Sequence, residues 1–400
     1  MDEERIYPHS VPRCVSNGLL SNTSFHHQYY NNHMMAQSKV HLISSDLWEA
    51  ITGERLTPSN ICEILEQAVP DGEHQPVQSL QYIMMARDRQ GSRIIQKKLD
   101  ESSDSDRSII FNSLEPDFKD LIFDPCANFV IQKLCETATE KEQQTLLKVF
   151  LADTKTVVDH PNGCRVLQKF IETTSTENID QLYVATRQYF LQLCVSPNGN
   201  HIVQRFIDHL PDRIGEIVKS VKPLMLKMAF DNCGCRIIQR LFDKYDVDTL
   251  KILVDDVMKK AVDLATNQYG NYVVQKILES GKSDLVSTLV NAFKGHFYEF
   301  SIHKFASNVM EKCIRNATQE EQLGIFTEVI GTFGHYENAR ILKMSTDQFG
   351  NYVIQRIIKH GNEDQQNAIY EVAYENFDEL IACNYGKHVI TRLKNLGYDF

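Results

Sequence analysis

The chain is predicted to be an all-α solenoid. Two observations carry that prediction: a short phrase that recurs eight times at nearly constant spacing, and helical periodicity inside each copy. The phrases read Ser92-Arg93-Ile-Ile-Gln96, Asn128-Phe129-Val-Ile-Gln132, Cys164-Arg165-Val-Leu-Gln168, Asn200-His201-Ile-Val-Gln204, Cys235-Arg236-Ile-Ile-Gln239, Asn271-Tyr272-Val-Val-Gln275, Ser307-Asn308-Val-Met-Glu311 and Asn351-Tyr352-Val-Ile-Gln355. Successive last residues lie 36, 36, 36, 35, 36, 36 and 44 positions apart. A fixed period of this size marks stacked supersecondary units. A solenoid grows by adding neighbours, so 400 residues make one elongated domain here and not several globular ones.

The helix follows from spacing. In the sixth phrase, apolar residues fall at Val273, Val274, Ile277 and Leu278, and polar ones at Asn271, Tyr272, Gln275 and Lys276. Both sets follow i, i+1, i+4, i+5, so they occupy opposite faces. Residues 271 and 275 are one turn apart and point the same way. A small residue precedes each phrase: Gly91, Ala127, Gly163, Gly199, Gly234, Gly270, Ala306 and Gly350. A second apolar helical segment, such as 285–293, packs behind the first.

Beyond the repeats, residues 1–42 are rich in Asn, His, Ser and Gln and read as a disordered tail. Residues 43–75 hold two helix starts, at Ser45-Asp46 and at Thr57-Pro58, and are expected to cap the first repeat. The repeats run from about 76 to 376. Residues 377–400 carry the frame once more, as Lys387-His388-Val-Ile-Thr391, and read as a C-terminal cap. The 44-residue interval is expected to hold a longer loop around Phe333–Glu337.

Composition narrows the function. No apolar run approaches the roughly 18 residues of a membrane span. There is no secretory leader pattern. The ten cysteines lack Cys-x-x-Cys spacing, which fits a reduced, cytoplasmic setting without a metal site. The histidines are scattered and no nucleophile motif appears, so no catalysis and no cofactor are expected. The net charge of −11 runs against the basic footprint usual for a polyanion binder. However, residues 1–75 hold 10 acidic and 4 basic residues, so the rest carries only −5. A cation also follows every phrase: Lys97, Lys133, Lys169, Arg205, Arg240, Lys276, Lys312 and Arg356. If these share a face they form a basic stripe, and local potential rather than net charge guides a polyanion.

The chemistry lies in what varies. The second residues are Arg93, Phe129, Arg165, His201, Arg236, Tyr272, Asn308 and Tyr352. All but Asn308 are flat groups of the kind that stack on unpaired bases, worth roughly 1–3 kcal/mol per base. The first and fifth residues face the base edge. Gln offers both donors and an acceptor and suits uracil or adenine. Glu311 offers acceptors only, which matches the adjacent donors of guanine. Asn beside Gln suits uracil, and the smaller Cys or Ser leaves room for a purine.

On these residues the chain resembles the Pumilio/FBF (PUF) family of RNA-binding proteins over about residues 60–400. The resemblance implies a right-handed, crescent-shaped α-solenoid of eight Pumilio repeats between two capping pseudo-repeats. PUF repeats read one base each through two or three side chains. In the family, Asn-Tyr/His with Gln reads uracil, Cys/Ser-Arg with Gln reads adenine, and Ser-Asn with Glu reads guanine, with RNA antiparallel to protein. Carried over, repeats 8 to 1 spell 5′-UGUAUAUA-3′ in single-stranded mRNA. Phe129 departs from the usual Tyr or His but keeps the ring. The resemblance also implies repression of messages through their 3′ untranslated regions, with deadenylase-type protein partners, the loop near Tyr336 being a docking point. A monomer is expected. Alternatives are a longer element with one central base flipped out, a divergent relative that binds structured or ribosomal RNA, and a peptide-binding helical scaffold. The last predicts no base logic at the first, second and fifth positions.

Overall fold

The computed structural model describes residues 74–400, which belong to one compact unit. The tail expected at 1–42, and all but the last two residues of the cap expected at 43–75, lie outside the described residues. Among the described residues, nine helices carry the phrase register: α1 (Arg89–Glu101), α2 (Ala127–Thr137), α3 (Pro161–Thr173), α4 (Gly199–His209), α5 (Gly234–Lys244), α6 (Gly270–Leu278), α7 (Ala306–Asn316), α8 (Gly350–His360) and α9 (Gly386–Lys394). Each packs on the next, from α1 through α9. This is the expected α-solenoid.

The apolar pair of each phrase drives the stacking. From Val130-Ile131 to Val353-Ile354, both members are fully buried in repeats 2 to 8. Each such side chain contributes about 1.5–3 kcal/mol relative to exposure. In the first repeat Ile95 is buried but Ile94 remains 49% exposed.

Repeats 2 to 8 each also contain a short helix before the phrase that the sequence does not announce. These are Phe118–Leu121, Thr154–Asp159, Phe190–Cys194, Met225–Ala229, Ala261–Thr266, Phe297–Ser301 and Asn338–Thr346. Most are too short to show a period. Before the first phrase the corresponding helix is the longer His74–Arg87. The helix before the phrase explains the small residue that precedes it. A Cβ on Gly234 would lie 2.6 Å from Met228 Cα, and one on Gly91 2.4 Å from the Met85 carbonyl oxygen. The two helices cross too closely there for a larger group.

The 44-residue interval differs from the loop expected. The linker lengthens from three residues (294–296) to seven (331–337), and the next helix from five residues (Phe297–Ser301) to nine (Asn338–Thr346). The linker folds as a small antiparallel hairpin, β1 (Gly331–Thr332) with β2 (His335–Tyr336). Gly334 in the turn and Gly331 at the start of β1 take φ 79° and 93°, a region that favours glycine. Phe333 stands at the tip, 77% exposed.

At the C-terminal end, residues 395–400 fold back on helix Glu363–Glu375. Tyr370 stacks on Tyr398 at 4.7 Å, and its hydroxyl donates to the Asp399 carbonyl at 2.8 Å.

Candidate nucleic-acid interface

The start of each phrase helix is fixed by a side chain four residues before the phrase. Asp88, Asp124, Asp231, Asn267 and Asp347 each accept two backbone N–H groups at 2.7–2.9 Å. In repeats 3 and 7 the Nδ1 atoms of His160 and His303 accept the same pair. In repeat 4 the Ser196 hydroxyl accepts from Gly199. These side chains satisfy donors that a helix start otherwise leaves open. Burial holds His160 below the ordinary histidine range, which favours the neutral ring this role needs. Sequence reading passed over this position. Its signal was there: a capping residue in fixed register eight times.

With the start fixed, the phrase residues fall on one face of the stack. The second residues stand outward. Arg93, Phe129, Arg165, Arg236 and Tyr272 are exposed, and His201, Asn308 and Tyr352 half-buried. Neighbours in this row sense one another. His201 is held below its ordinary pKa first by burial, then by Arg165, Arg236 and Arg205. Arg165 and Arg236 are the second residues of the flanking repeats.

The first residues lie deeper than expected of groups that meet a base edge. Ser92, Asn128, Cys164, Asn200, Cys235, Asn271, Ser307 and Asn351 are all buried. The fifth residues, half-buried except for the buried Gln168, lie above them.

This depth sorts the repeats into two classes. In the asparagine repeats, the Asn Nδ2 donates to the main-chain carbonyl one turn back, from Asn128 to Asp124, Asn200 to Ser196, Asn271 to Asn267 and Asn351 to Asp347. Its Oδ1 then accepts from the glutamine Nε2. The pairs are Gln132–Asn128, Gln204–Asn200, Gln275–Asn271 and Gln355–Asn351, at 2.9–3.0 Å. The chain fixes the amide's orientation and turns the glutamine Oε1 outward. In repeats 1 and 3, where the first residue is small, the glutamine bonds its own helix instead. Gln96 donates to the Ser92 carbonyl at 3.1 Å, and Gln168 to the Cys164 carbonyl at 3.2 Å. Burial pushes the Cys164 and Cys235 thiols up to about 11, so both are protonated, unreactive groups at neutral pH. Among the described residues no group of side chains could hold a metal ion.

Repeat 7 belongs to neither class. The Ser307 hydroxyl is buried without a hydrogen-bond partner. Glu311 receives the guanidinium of Arg356, whose Nε and Nη2 both lie 3.3 Å from Oε2.

The cations after the phrases do not form the open basic stripe expected. They form a charge ladder. Lys133 bridges Asp100 of the preceding repeat and Glu136 of its own, at 2.5 and 2.8 Å. Lys169 bridges Glu136 and Glu172, and Arg205 bridges Glu172 and Asp208. Arg240 joins Asp208, Lys276 joins Asp243 and Glu279, and Lys312 joins Glu279. In repeats 1 to 6 the acid sits three residues after the cation, on the same edge of the helix. Through repeat 6 the ladder is therefore neutral.

Comparison with known proteins agrees with the repeat count. A model of the Pumilio-family RNA binding repeat matches eight segments: 81–114, 118–150, 160–184, 189–214, 225–258, 260–292, 296–330 and 340–372. Every phrase lies inside one of them. The chain belongs to the Pumilio family. Pumilio homolog 12 of Arabidopsis thaliana is 27% identical over 170 residues, which is 42% of this chain and 28% of that protein. Pumilio homolog 4 of the same plant is 32% identical over 151 residues, 38% of this chain and 15% of that protein. The matched stretch is thus under a third of either relative. The Puf3 RNA-binding domain, solved with a Cox17 RNA 3′ UTR recognition sequence, superposes with a TM-score of 0.73 at 25% identity, covering 87% of this chain and all of that one. The Puf4 domain, solved with a HO endonuclease RNA 3′ UTR sequence, gives 0.65 at 28% identity over 77% of this chain and 97% of that one. What these Pumilio matches describe is an RNA-binding repeat array, not a catalytic module.

Proposed function

We propose that this Pumilio domain reads single-stranded RNA one base per repeat, antiparallel to the protein, with 5′-UGUAUAUA-3′ as its element. The observation that carries the reading is the order of the two amide classes and the single acid along one face. From repeat 8 to repeat 1 the fifth-residue environments run Asn-held Gln355, Glu311, Asn-held Gln275, Gln239 beside Cys235, Asn-held Gln204, Gln168 on Cys164, Asn-held Gln132, and Gln96 on Ser92. The flat second residues supply stacking between bases. In a cell the domain would act on messenger RNA 3′ untranslated regions in the cytoplasm, lowering translation or message stability through recruited proteins. The hairpin tip at Phe333 is the proposed protein contact.

Selection from a random RNA pool tests the register as a whole. Recovery of UGUAUAUA supports it. Recovery of a nine-nucleotide element with a free central base would shift the reading to the flipped-base alternative, and recovery of no consensus would end it. For the hairpin, Phe333→Ala should weaken capture of a repressor protein while leaving RNA affinity unchanged.

A further inference from the structure

Away from the phrase helices, residues 395–400 fold back and leave a cavity that the base-facing row does not use. It lies where helix Glu363–Glu375 turns into helix Phe377–Ala382, and its volume is about 540 Å³. Three rings, Tyr374, Phe377 and Phe400, and three carboxylates, Glu375, Asp378 and Glu379, line it. None of them is a phrase residue.

The rings are fixed by one another. Phe377 and Phe400 stack with centroids 5.5 Å apart, and Tyr370 meets Phe400 edge-on at 5.2 Å. Tyr374 lies 6.5 Å from Phe400 and stands 60% exposed. The acids are not neutralised. Glu375, Asp378 and Glu379 are exposed and make no ion pair among the described residues. One cation already uses the rings: Lys394 Nζ lies 5.7 Å from the centroids of both Phe377 and Phe400. A ring face attracts a cation through its quadrupole. Lys394 does not line the cavity, so the rings hold it elsewhere and keep a cavity side open.

We propose that this cavity binds an arginine side chain from a basic segment of a protein partner. A guanidinium is flat and stacks on aromatic rings, and its fork of donors matches carboxylates. Three rings and three unpaired acids around one cavity meet both halves of that chemistry. A lysine ammonium meets the charge but not the plane. The acidic rim repels phosphate, so RNA is not the occupant. The inference stands apart from the base reading, since no base-facing residue takes part.

The test titrates the whole chain with a fluorescein-labelled peptide of three Arg-Gly-Gly units, followed by anisotropy, and with the same peptide carrying lysine for arginine. The arginine peptide should bind about fivefold tighter than the lysine peptide, the scale of a stacked cation. Tyr374→Ala should weaken the arginine peptide by about tenfold, and Tyr374→Phe should restore it, because the ring and not the hydroxyl is used. Asp378→Asn/Glu379→Gln should weaken it by about fivefold at low salt and by less at high salt, where exposed charges are screened. Affinity of Tyr374→Ala for UGUAUAUA should be unchanged. A parallel loss would mark that variant as misfolded, and Asp378→Asn/Glu379→Gln then decides alone. Equal affinity for the two peptides overturns the inference. So does full binding by Tyr374→Ala, or full binding by the double variant at low salt. Each of these results leaves the base reading intact.

Discussion

Repeats 3 and 7 share a helix, a histidine cap and a buried apolar pair, yet they finish differently. In repeat 3, Lys169 sits between Glu136 and Glu172, and Gln168 folds back on its own helix. In repeat 7, Lys312 finds Glu279 behind it, but the position ahead holds Arg315. The next cation, Arg356, then has no ladder acid to meet and reaches Glu311 instead. One change of sign at position 315 thus ends a structural ladder and places a guanidinium against the residue proposed to select guanine. A carboxylate held through one oxygen keeps the other in a fixed direction, whereas an exposed surface pair adds little.

The largest effect should come from Glu311 itself. Glu311→Gln should weaken binding to UGUAUAUA by roughly 1–3 kcal/mol, the scale of a good bidentate base contact, and flatten the preference for G over A at the second base. Equal affinity of the unmodified protein for UGUAUAUA and UAUAUAUA would refute the assignment. Next, the helix crossing separates repeats that need glycine from those that do not. Gly234→Ala places Cβ 2.6 Å from a backbone atom, while repeat 7 already carries Ala306. A loss of about 1–2 kcal/mol in urea unfolding is expected, toward the lower part of what overpacking costs. A smaller effect follows at Arg356. Arg356→Gln should cost about 1 kcal/mol in RNA affinity, mostly as lost G-over-A selectivity, whereas Arg240→Gln in the ladder should leave selectivity at its own base unchanged. If both variants lose affinity without loss of selectivity, Arg356 is only another rung.

The ladder should show the smallest effect. Glu136 is held below its usual range first by hydrogen bonding to Lys133, against the opposing effect of burial, and then by Lys169. Its folded pKa is depressed, so its contribution is present above the unfolded carboxylate range and is lost as pH falls through the folded value. Partial exposure limits that contribution to about 0.5 kcal/mol. Glu136→Gln should therefore lower the unfolding midpoint slightly at pH 7 and by less at an acid pH below its folded value. An equal deficit at both pH values would show that packing, not charge, was lost.

Much of the fold was legible because its signals are local. The period, the apolar pair and the class of each phrase are written within a few consecutive residues. The helix before each phrase was not, since most copies are too short for a 3.6-residue period. The hairpin at 331–336 was seen only as extra length, because half of that length extends a helix. For the candidate interface, the row of second residues and the place of Glu311 could be read directly. The caps at Asp124, His160 and their equivalents carry a periodic signal too, but it is spread over four residue types, Asp, Asn, His and Ser.

The sequence by itself determined the number of repeats, the direction in which their chemistry is ordered, and the one position where an acid replaces an amide. Only the tertiary structure decided how those side chains are held. Lys133 meets Asp100 thirty-three residues away, and Arg356 meets Glu311 forty-five residues away. Such pairs depend on how closely one helix stacks on the next, and stacking is set by the buried faces of several repeats together. The same dependence placed the first residue of every phrase beneath the fifth. An asparagine and a glutamine one turn apart are neighbours in any helix, but which of them reaches the surface depends on the neighbouring repeat.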